Sequence, residues 1–186
     1  MSVRENSLRI YDTKRTFFSK IGSTFSKIFE PTREGINNLI INSKDIDLEI
    51  IKGKDALEEN ERCILVRVTT NGKKILFTGD IGAFTENQLV KNDIDCDYLK
   101  VAHHGSKNSS TKDFLLASSP KASIISCGYK NRYNHPHKDA LERIKSVGST
   151  VYRTDLQGNI ILRINRFEEK IIGFRDIDDN LLVFLD

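Results

Sequence analysis

The fold of this chain is decided by residues 97–110, DYLKVAHHGSKNSS, in which a short apolar segment leads directly into two adjacent histidines, His103 and His104. The apolar segment, residues 98–102, is typical of a buried strand, and residues 111–117 after it are typical of a helix. The histidines therefore stand at the carboxyl end of a strand, where the functional residues of α/β proteins gather.

The pattern on both sides of this stretch alternates in the same way. Short apolar or alternating segments predict strands at 46–51, 63–69, 74–77 and 122–126, and helical periodicity predicts helices at 83–91 and 138–147. Asn71-Gly72 indicates a hairpin turn, and the tail predicts a hairpin over 159–174 and a last apolar piece at 181–185. Strands that alternate with helices predict a layered α/β fold.

The first 44 residues differ in character and are predicted to be a separate basic segment before a domain over 45–186. Aromatic and aliphatic residues between Phe17 and Phe29 recur at helical spacing among lysines and arginines, until Pro31 ends the pattern. This indicates an amphipathic helix. It either packs on the rest of the protein or binds a membrane surface or a partner through residues 14–29.

Composition limits the class of protein. The chain has 186 residues, enough for one domain with a real core, and its net charge of +3 neither requires nor excludes a polyanionic partner. The three cysteines suit neither a disulfide framework nor a paired-cysteine zinc site. No apolar stretch reaches the roughly 18 residues that span a bilayer. The sequence predicts a soluble, cytoplasmic protein.

Three successive strand ends carry metal-binding side chains. Asp80 follows one strand, His103 and His104 the next, and His135 a third. Carboxylate and imidazole groups suit a divalent ion, zinc more than manganese, and such an ion lowers the pKa of a bound water and polarises a phosphoryl oxygen. Asp80 is alternatively a simple turn former.

The histidines are assigned different roles. Consecutive residues on an extended segment point to opposite sides, so we expect one of the pair to face the ion. His103 is the favoured ligand, which leaves His104 for catalysis. His135 is held extended by Pro136, which favours a ligand, and His137 is either a second catalytic group or the first residue of the following helix.

A phosphate site is predicted beside the histidines. Ser106, Lys107 and Ser109 precede a helix, where hydroxyl and backbone groups bind phosphate, and Asn131 lies in the later loop. The alternative is that the serines, Ser110 above all, only cap the helix.

Several motifs together resemble the metallo-β-lactamase-like domain of ComEC-type DNA-uptake proteins and their stand-alone relatives. The motifs lie within residues 45–164 and have the order and spacing of that family. They are Asn60-Glu-Arg-Cys63, Leu76 to Asp80, Leu99 to Ser106, Asn131 to His137, and Tyr152 to Asp155 with Gly158. The resemblance implies an αββα fold with a metal centre and hydrolysis of phosphodiesters. It also implies that Asp80 is the bridging carboxylate, that His135 is the late histidine ligand and that Asn60 is a polar residue near the site.

One part of the family pattern is absent. The His-x-His-x-Asp-His motif of the first half has no counterpart, because no histidine precedes His103. The chain is therefore expected to be the second half of the fold. It is a piece of a longer hydrolase, a half completed by a second chain or by self-association, or a non-catalytic remnant.

The sequence favours an enzyme, a metal-dependent phosphodiesterase of nuclease type acting on nucleic acid or another phosphodiester. The alternative is a remnant that binds nucleic acid or a partner without catalysis. That alternative ranks second because the lysines are scattered, without the interleaved aromatic residues of a single-strand platform.

Overall fold

The computed structural model describes residues 8–9, 38–42, 46–52 and 63–173. Ten strands and four helices run through these residues. In chain order they are β1 Leu8–Arg9, β2 Asn38–Asn42, β3 Asp47–Lys52, β4 Ile64–Thr70, β5 Lys73–Phe77, α1 Ala83–Leu89, β6 Tyr98–Lys100, α2 Lys112–Ser118, β7 Ala122–Ile125, α3 Lys138–Ser146, β8 Thr150–Arg153, α4 Thr154–Gln157, β9 Ile160–Ile164 and β10 Glu169–Gly173. A 3-10 turn, Ala102–Gly105, follows β6.

The larger sheet has seven strands in the order β2-β3-β4-β5-β6-β7-β8. Strands β2 to β5 are antiparallel, and β5 to β8 are parallel. Asn71 and Gly72, both at positive φ, form the tight turn between β4 and β5, as the Asn-Gly pair predicts. Because β5, β6 and β7 run in the same direction, the residues that follow them meet at one edge of the sheet.

The helices cover one face of this sheet. Leu89 of α1, Phe114 and Leu115 of α2 and Ile144 of α3 are fully buried in one cluster with Leu76 of β5 and other sheet residues. Within each helix the buried positions are three or four residues apart, as expected when one side of a helix is buried: Glu86 and Leu89 in α1, Phe114 and Ser118 in α2, and Ala140 and Ile144 in α3.

A smaller sheet, in the order β1-β9-β10, covers the opposite face. Leu162 and Ile164 of β9 are buried in a second cluster against Val68, Ile75 and Tyr98 of the larger sheet. The described residues therefore form helix, sheet and sheet layers, with the larger sheet in the centre.

The predicted α/β class is confirmed by this central sheet and its flanking helices. The predicted helix at 14–29, Asn60 and the apolar piece at 181–185 lie outside the described residues. Strands β1 and β2 come from the first 44 residues and pair within the two sheets. Among the described residues, no helix has both the length and the apolar character to cross a membrane.

Candidate metal centre

Asp80 stands at the end of β5, after a turn that requires glycine. Gly79 has φ +57, and a side chain there would meet the Cβ of Cys63 at 3.3 Å. The Gly79 carbonyl accepts a hydrogen bond from the His103 backbone N–H at 3.0 Å, which ties the end of β5 to the turn after β6. The Asp80 carboxylate stays partly exposed, with Oδ1 3.8 Å from Nε2 of His104.

His103 and His104 are not on an extended segment. Both have left-handed backbone conformations, with φ 47 and φ 54, inside the 3-10 turn. The expectation that they point to opposite sides of a strand is therefore wrong in its premise, because β6 ends at Lys100. Non-glycine residues with this conformation are uncommon and collect at functional sites.

The backbone of β7 fixes the ring of His104. Its Nδ1 lies 2.6 Å from the carbonyl oxygen of Ser126, so Nδ1 carries the proton in that hydrogen bond. The neutral ring then has its lone pair on Nε2, the nitrogen that faces Asp80. A metal-ligating histidine is usually oriented in this way, by a carbonyl bound to its other nitrogen.

His135 is positioned by the amide of Asn131. Oδ1 of Asn131 accepts the His135 backbone N–H at 2.9 Å, and Nδ2 donates to the His135 carbonyl at 2.6 Å. The same amide bonds the Gly128 carbonyl and the Tyr133 N–H. Both donors of Asn131 are thus taken up within its own loop. The structure gives Asn131 the role of organising this loop, in place of the predicted phosphate contact.

His135 is the centre of a cluster of all four histidines. Its ring centroid lies 5.8 Å from that of His103, 6.3 Å from that of His104 and 4.8 Å from that of His137. Burial and then the three neighbouring histidines lower the pKa of His135, which favours the neutral, metal-binding form of the ring. The adjoining cavity of about 360 Å³ is lined by His104, His135 and residues between 126 and 133.

His137 is held from the other side of the cluster. Its Nδ1 accepts the backbone N–H of Lys107 at 3.1 Å, so the neutral ring carries its proton on Nε2. His137 is also the residue before α3, and its own N–H donates to the Gly105 carbonyl at 2.9 Å. The predicted position at the start of a helix is confirmed.

Two charged side chains, from α1 and α3, hold the loop between His104 and α2. The Glu86 carboxylate of α1, fully buried, accepts the backbone N–H groups of Ser110 at 2.5 Å and Thr111 at 2.7 Å. From α3, Arg143 donates to the carbonyls of Lys107, Ser109 and Ser110 at 2.8 to 2.9 Å. These two side chains fix the loop whose Lys107 N–H orients His137.

The predicted phosphate contacts of the serines are not supported. Ser109 is fully buried, and its hydroxyl donates to the Ala102 and Ser106 carbonyls, so it cannot reach a substrate. Ser106 is 5% exposed, and its hydroxyl accepts the Asn108 N–H. Lys107, which was also predicted to contact phosphate, is exposed. The alternative of a serine cap is also wrong, because Thr111 caps α2 and its hydroxyl accepts the Phe114 N–H at 3.4 Å. The hydroxyls of Ser106 and Ser109 bond the local backbone instead.

The donor set suits a divalent ion although it is not gathered into a complete site. Within residues 8–9, 38–42, 46–52 and 63–173, no three His, Cys, Asp or Glu side chains are close enough to hold one ion. Asp80 Oδ1 and the lone pair of His104 Nε2, however, face each other at 3.8 Å. Zinc bonds to nitrogen and oxygen are each about 2.0 to 2.2 Å, so one ion can contact both atoms.

The chain belongs to the metallo-beta-lactamase superfamily, because a sequence model of that superfamily matches residues 6–129, about two thirds of its length. The chain is also similar to competence proteins, as the sequence predicted. It is 33% identical over 128 residues to ComE operon protein 3 of Bacillus subtilis and 32% identical over 126 residues to competence protein ComA of Neisseria gonorrhoeae. It is 31% identical over 113 residues to recombination protein 2 of Haemophilus influenzae.

These similarities cover very different shares of the two chains in each pair. The matched segments are 67%, 65% and 61% of this chain but 16%, 18% and 14% of the three relatives, in the same order. The chain thus spans less than a fifth of the length of these curated relatives. An activity of the full-length relatives is therefore only a proposal for this chain.

Sequence reasoning missed several residues that position the site. Glu86 and Arg143 are charged residues on predicted helices, and nothing in their spacing indicates that both are directed at the same loop. Tyr133 stacks on His135 with ring centroids 5.7 Å apart. Its place two residues before a predicted ligand was the available signal.

Proposed function

We propose that this chain carries part of the active site of a metal-dependent phosphodiester hydrolase that acts on nucleic acid strands. The observation that carries the proposal is the meeting of Asp80 and four histidines at the carboxyl ends of β5, β6 and β7. Membership of the superfamily supports a divalent metal, and similarity to proteins named for competence and recombination supports a nucleic acid substrate.

The proposed ligands are Asp80 and His104, which one ion can contact as they stand, and His135, whose ring centroid lies 6.3 Å from that of His104 and has to move closer to bind the same ion. The structure favours His104 over His103 because its Nε2 lone pair faces Asp80, whereas the sequence favoured His103 for this role. A divalent ion bound there supplies charge stabilisation for the phosphoryl oxygens and activation of water. Zinc is proposed ahead of manganese because imidazole nitrogens suit zinc.

The remaining histidines act on the substrate directly. His137 holds its proton on Nε2 and donates it in a hydrogen bond to the departing oxygen. His103, at the edge of the same cluster, contacts the phosphate or completes the ligand set. The exposed ammonium of Lys107 attracts a further phosphate of the strand.

Metal content of the purified chain tests this proposal. Plasma mass spectrometry of the wild-type chain is expected to give near-stoichiometric zinc or another divalent metal. Asp80→Ala and His104→Ala each remove a ligand and are expected to lower metal affinity at least tenfold, as even outer contacts of metal sites do. Asp113→Ala, an exposed carboxylate on α2, is the control and is expected to retain the metal.

The second candidate is a nucleic-acid-binding chain without catalysis. It is favoured by the lack of three metal-binding side chains within reach of one ion among the described residues. Binding of an oligonucleotide that weakens steeply with salt, without metal and without cleavage, supports this candidate. Metal-dependent cleavage that Asp80→Ala abolishes supports the first.

A further inference from the structure

The loop between β7 and the histidine cluster alternates aromatic and basic residues. Residues 129–133, here called the aromatic–basic loop, are Tyr-Lys-Asn-Arg-Tyr. Tyr129 is 65% exposed and Tyr133 is 57% exposed, and Lys130 and Arg132 between them are exposed as well. The sequence-based view that basic residues here lack interleaved aromatic rings is therefore wrong for this loop.

The aromatic–basic loop adjoins the candidate metal centre. The Tyr133 ring stacks on His135 at an interplanar angle of 26°, with centroids 5.7 Å apart. Tyr133 and Asn131 line the same cavity as His104 and His135. The Arg132 guanidinium lies over the Tyr133 ring at 4.6 Å, and the Lys130 ammonium lies 5.3 Å from the centre of the Tyr129 ring.

The two cations of this loop have no acidic partner within the described part of the chain. No carboxylate there lies within 4.0 Å of Lys130 or Arg132, whereas Lys73, Lys74 and Lys121 each pair with one. Two unneutralised cations beside a predicted phosphodiester site attract anions. Arginine adds a planar surface on which a nucleobase can stack.

The loop is also held in shape before any ligand binds. The Asn131 amide makes four hydrogen bonds, to the backbone of Gly128, Tyr133 and His135. Just before the loop, the Thr154 hydroxyl accepts the Cys127 N–H at 2.9 Å and donates to the Cys127 carbonyl at 2.8 Å. A surface that is already ordered loses less entropy when it binds.

We propose that the aromatic–basic loop is a binding platform for single-stranded nucleic acid, with bases stacked on Tyr129 and on the Arg132 guanidinium that lies over Tyr133, and with phosphates held by Lys130 and Arg132. This inference rests on the proposed function, because it identifies where the strand lies beside that site. A single strand is favoured over a duplex, since a duplex keeps its base faces stacked on one another.

Fluorescence anisotropy with a labelled single strand of about 15 nucleotides tests the platform, with chelator present so that cleavage does not interfere. Tyr129→Leu and Tyr133→Leu are each expected to weaken binding about 5- to 150-fold, the cost of losing one stacked base. Tyr129→Phe and Tyr133→Phe keep the ring and are expected to bind like wild type. Phe167→Leu, at an 89% exposed position in the β9–β10 turn, is the matched control.

Charge is tested separately in the same assay. Lys130→Gln and Arg132→Gln are each expected to reduce the slope of log affinity against log salt by about 0.7, the value for one phosphate contact on a single strand. Lys91→Gln, an exposed lysine after α1, is expected to leave the slope unchanged. Leucine variants that bind as tightly as the phenylalanine variants overturn the proposal, as does equal binding of a duplex of the same length.

Failure of this inference and failure of the proposed function give different results. If both leucine variants cleave the oligonucleotide in a metal-dependent way as well as wild type does, the hydrolase proposal is supported and the platform proposal is contradicted. If binding depends on the tyrosine rings but no divalent metal supports cleavage, the platform proposal is supported and the hydrolase proposal is contradicted.

Discussion

Gly105 is the residue through which the His103–His104 turn and the His135 loop come into contact. Its φ is +82, and a side chain at this position would meet the Cβ of Pro136 at 2.6 Å. Its carbonyl accepts the N–H of His137. The position therefore requires glycine for its backbone conformation and for the close approach of the second loop.

Replacement of Gly105 by alanine is expected to destabilise the protein by about 2 to 4 kcal/mol, because the left-handed conformation and the clash with Pro136 add together. Gly148→Ala is the matched control, since Gly148 has φ +80 with no atom within 4 Å of the added Cβ. It is expected to cost about 1 kcal/mol. Urea denaturation measures both variants, and equal losses would show that the contact with Pro136 contributes nothing.

The sequence predicted that Asp80 and the histidines come together but not the state of each ring. Asp80 and the histidines could be found because few residue types bind divalent ions and all follow apolar strands. The proton positions on His104 and His137 could not be predicted, because they depend on the Ser126 carbonyl and the Lys107 N–H. These are backbone groups, and the residue type does not reveal which ring they bond. The roles of Ser109 and Asn131 were misassigned for a related reason, because hydroxyl and amide side chains serve the local backbone as readily as a ligand.

At the scale of elements, α1 and α3 act together on the loop between them. Glu86 lies at the centre of this arrangement. Burial raises its pKa, and the N–H groups of Thr111 and Ser110 and the charge of Arg143 oppose that rise without cancelling it. The folded state therefore binds a proton at Glu86 more readily than the unfolded state does.

This raised pKa has a defined effect on stability against pH. The contribution of Glu86 to the free energy of unfolding is fully present below the pKa that Glu86 has in the unfolded chain, near about 4.3. It is lost as the pH rises through the higher pKa of Glu86 in the folded protein. Relative to Glu86→Gln, wild type is thus expected to lose stability as pH rises from that value toward neutrality. Denaturation at a series of pH values measures this, with Glu142→Gln on the exposed side of α3 as control. A wild-type advantage that grows with pH would mean that the two N–H bonds outweigh burial.

Most elements were predictable because their patterns are local. The strands at β3 to β7, the hairpin turn at Asn71-Gly72 and the helices α1 to α3 all lie within a few residues of their predicted places. The 3-10 turn at Ala102–Gly105 was predicted as the end of a strand. Its left-handed histidines depend on the Gly79 carbonyl and Pro136, which lie far away in sequence.

At the scale of the whole molecule, the two sheets meet through one buried apolar cluster. Leu162 of β9 is 1% exposed and packs against the larger sheet. Leu162→Ala is expected to lower the free energy of unfolding by about 3 kcal/mol through lost burial and a cavity. Leu156→Ala, 53% exposed on α4, is expected to change it by less than about 0.5 kcal/mol. Urea titration measures both, and a small loss at Leu162 would show that the sheets are weakly coupled.

Completion of the fold by a second chain or by self-association stays a prediction. Outside the aromatic–basic loop, the exposed large apolar side chains in the described part of the chain lie on separate elements, at Ile64, Phe84, Leu116, Leu156 and Phe167. Light scattering at increasing concentration tests self-association, and a single monomeric species throughout would contradict it.

The parallel strands also determine how the molecule can be attached to a surface. Gly72 and Gly148 lie just before β5 and β8, at the edge opposite the histidines, and a Cβ added at either meets no atom within 4 Å. A cysteine at Gly72 or an affinity tag inserted after Gly148 would therefore anchor the protein by this far edge. A sensor chip or a single-molecule tether attached in this way leaves the histidine edge facing the solution, where the proposed nucleic-acid ligand can reach it.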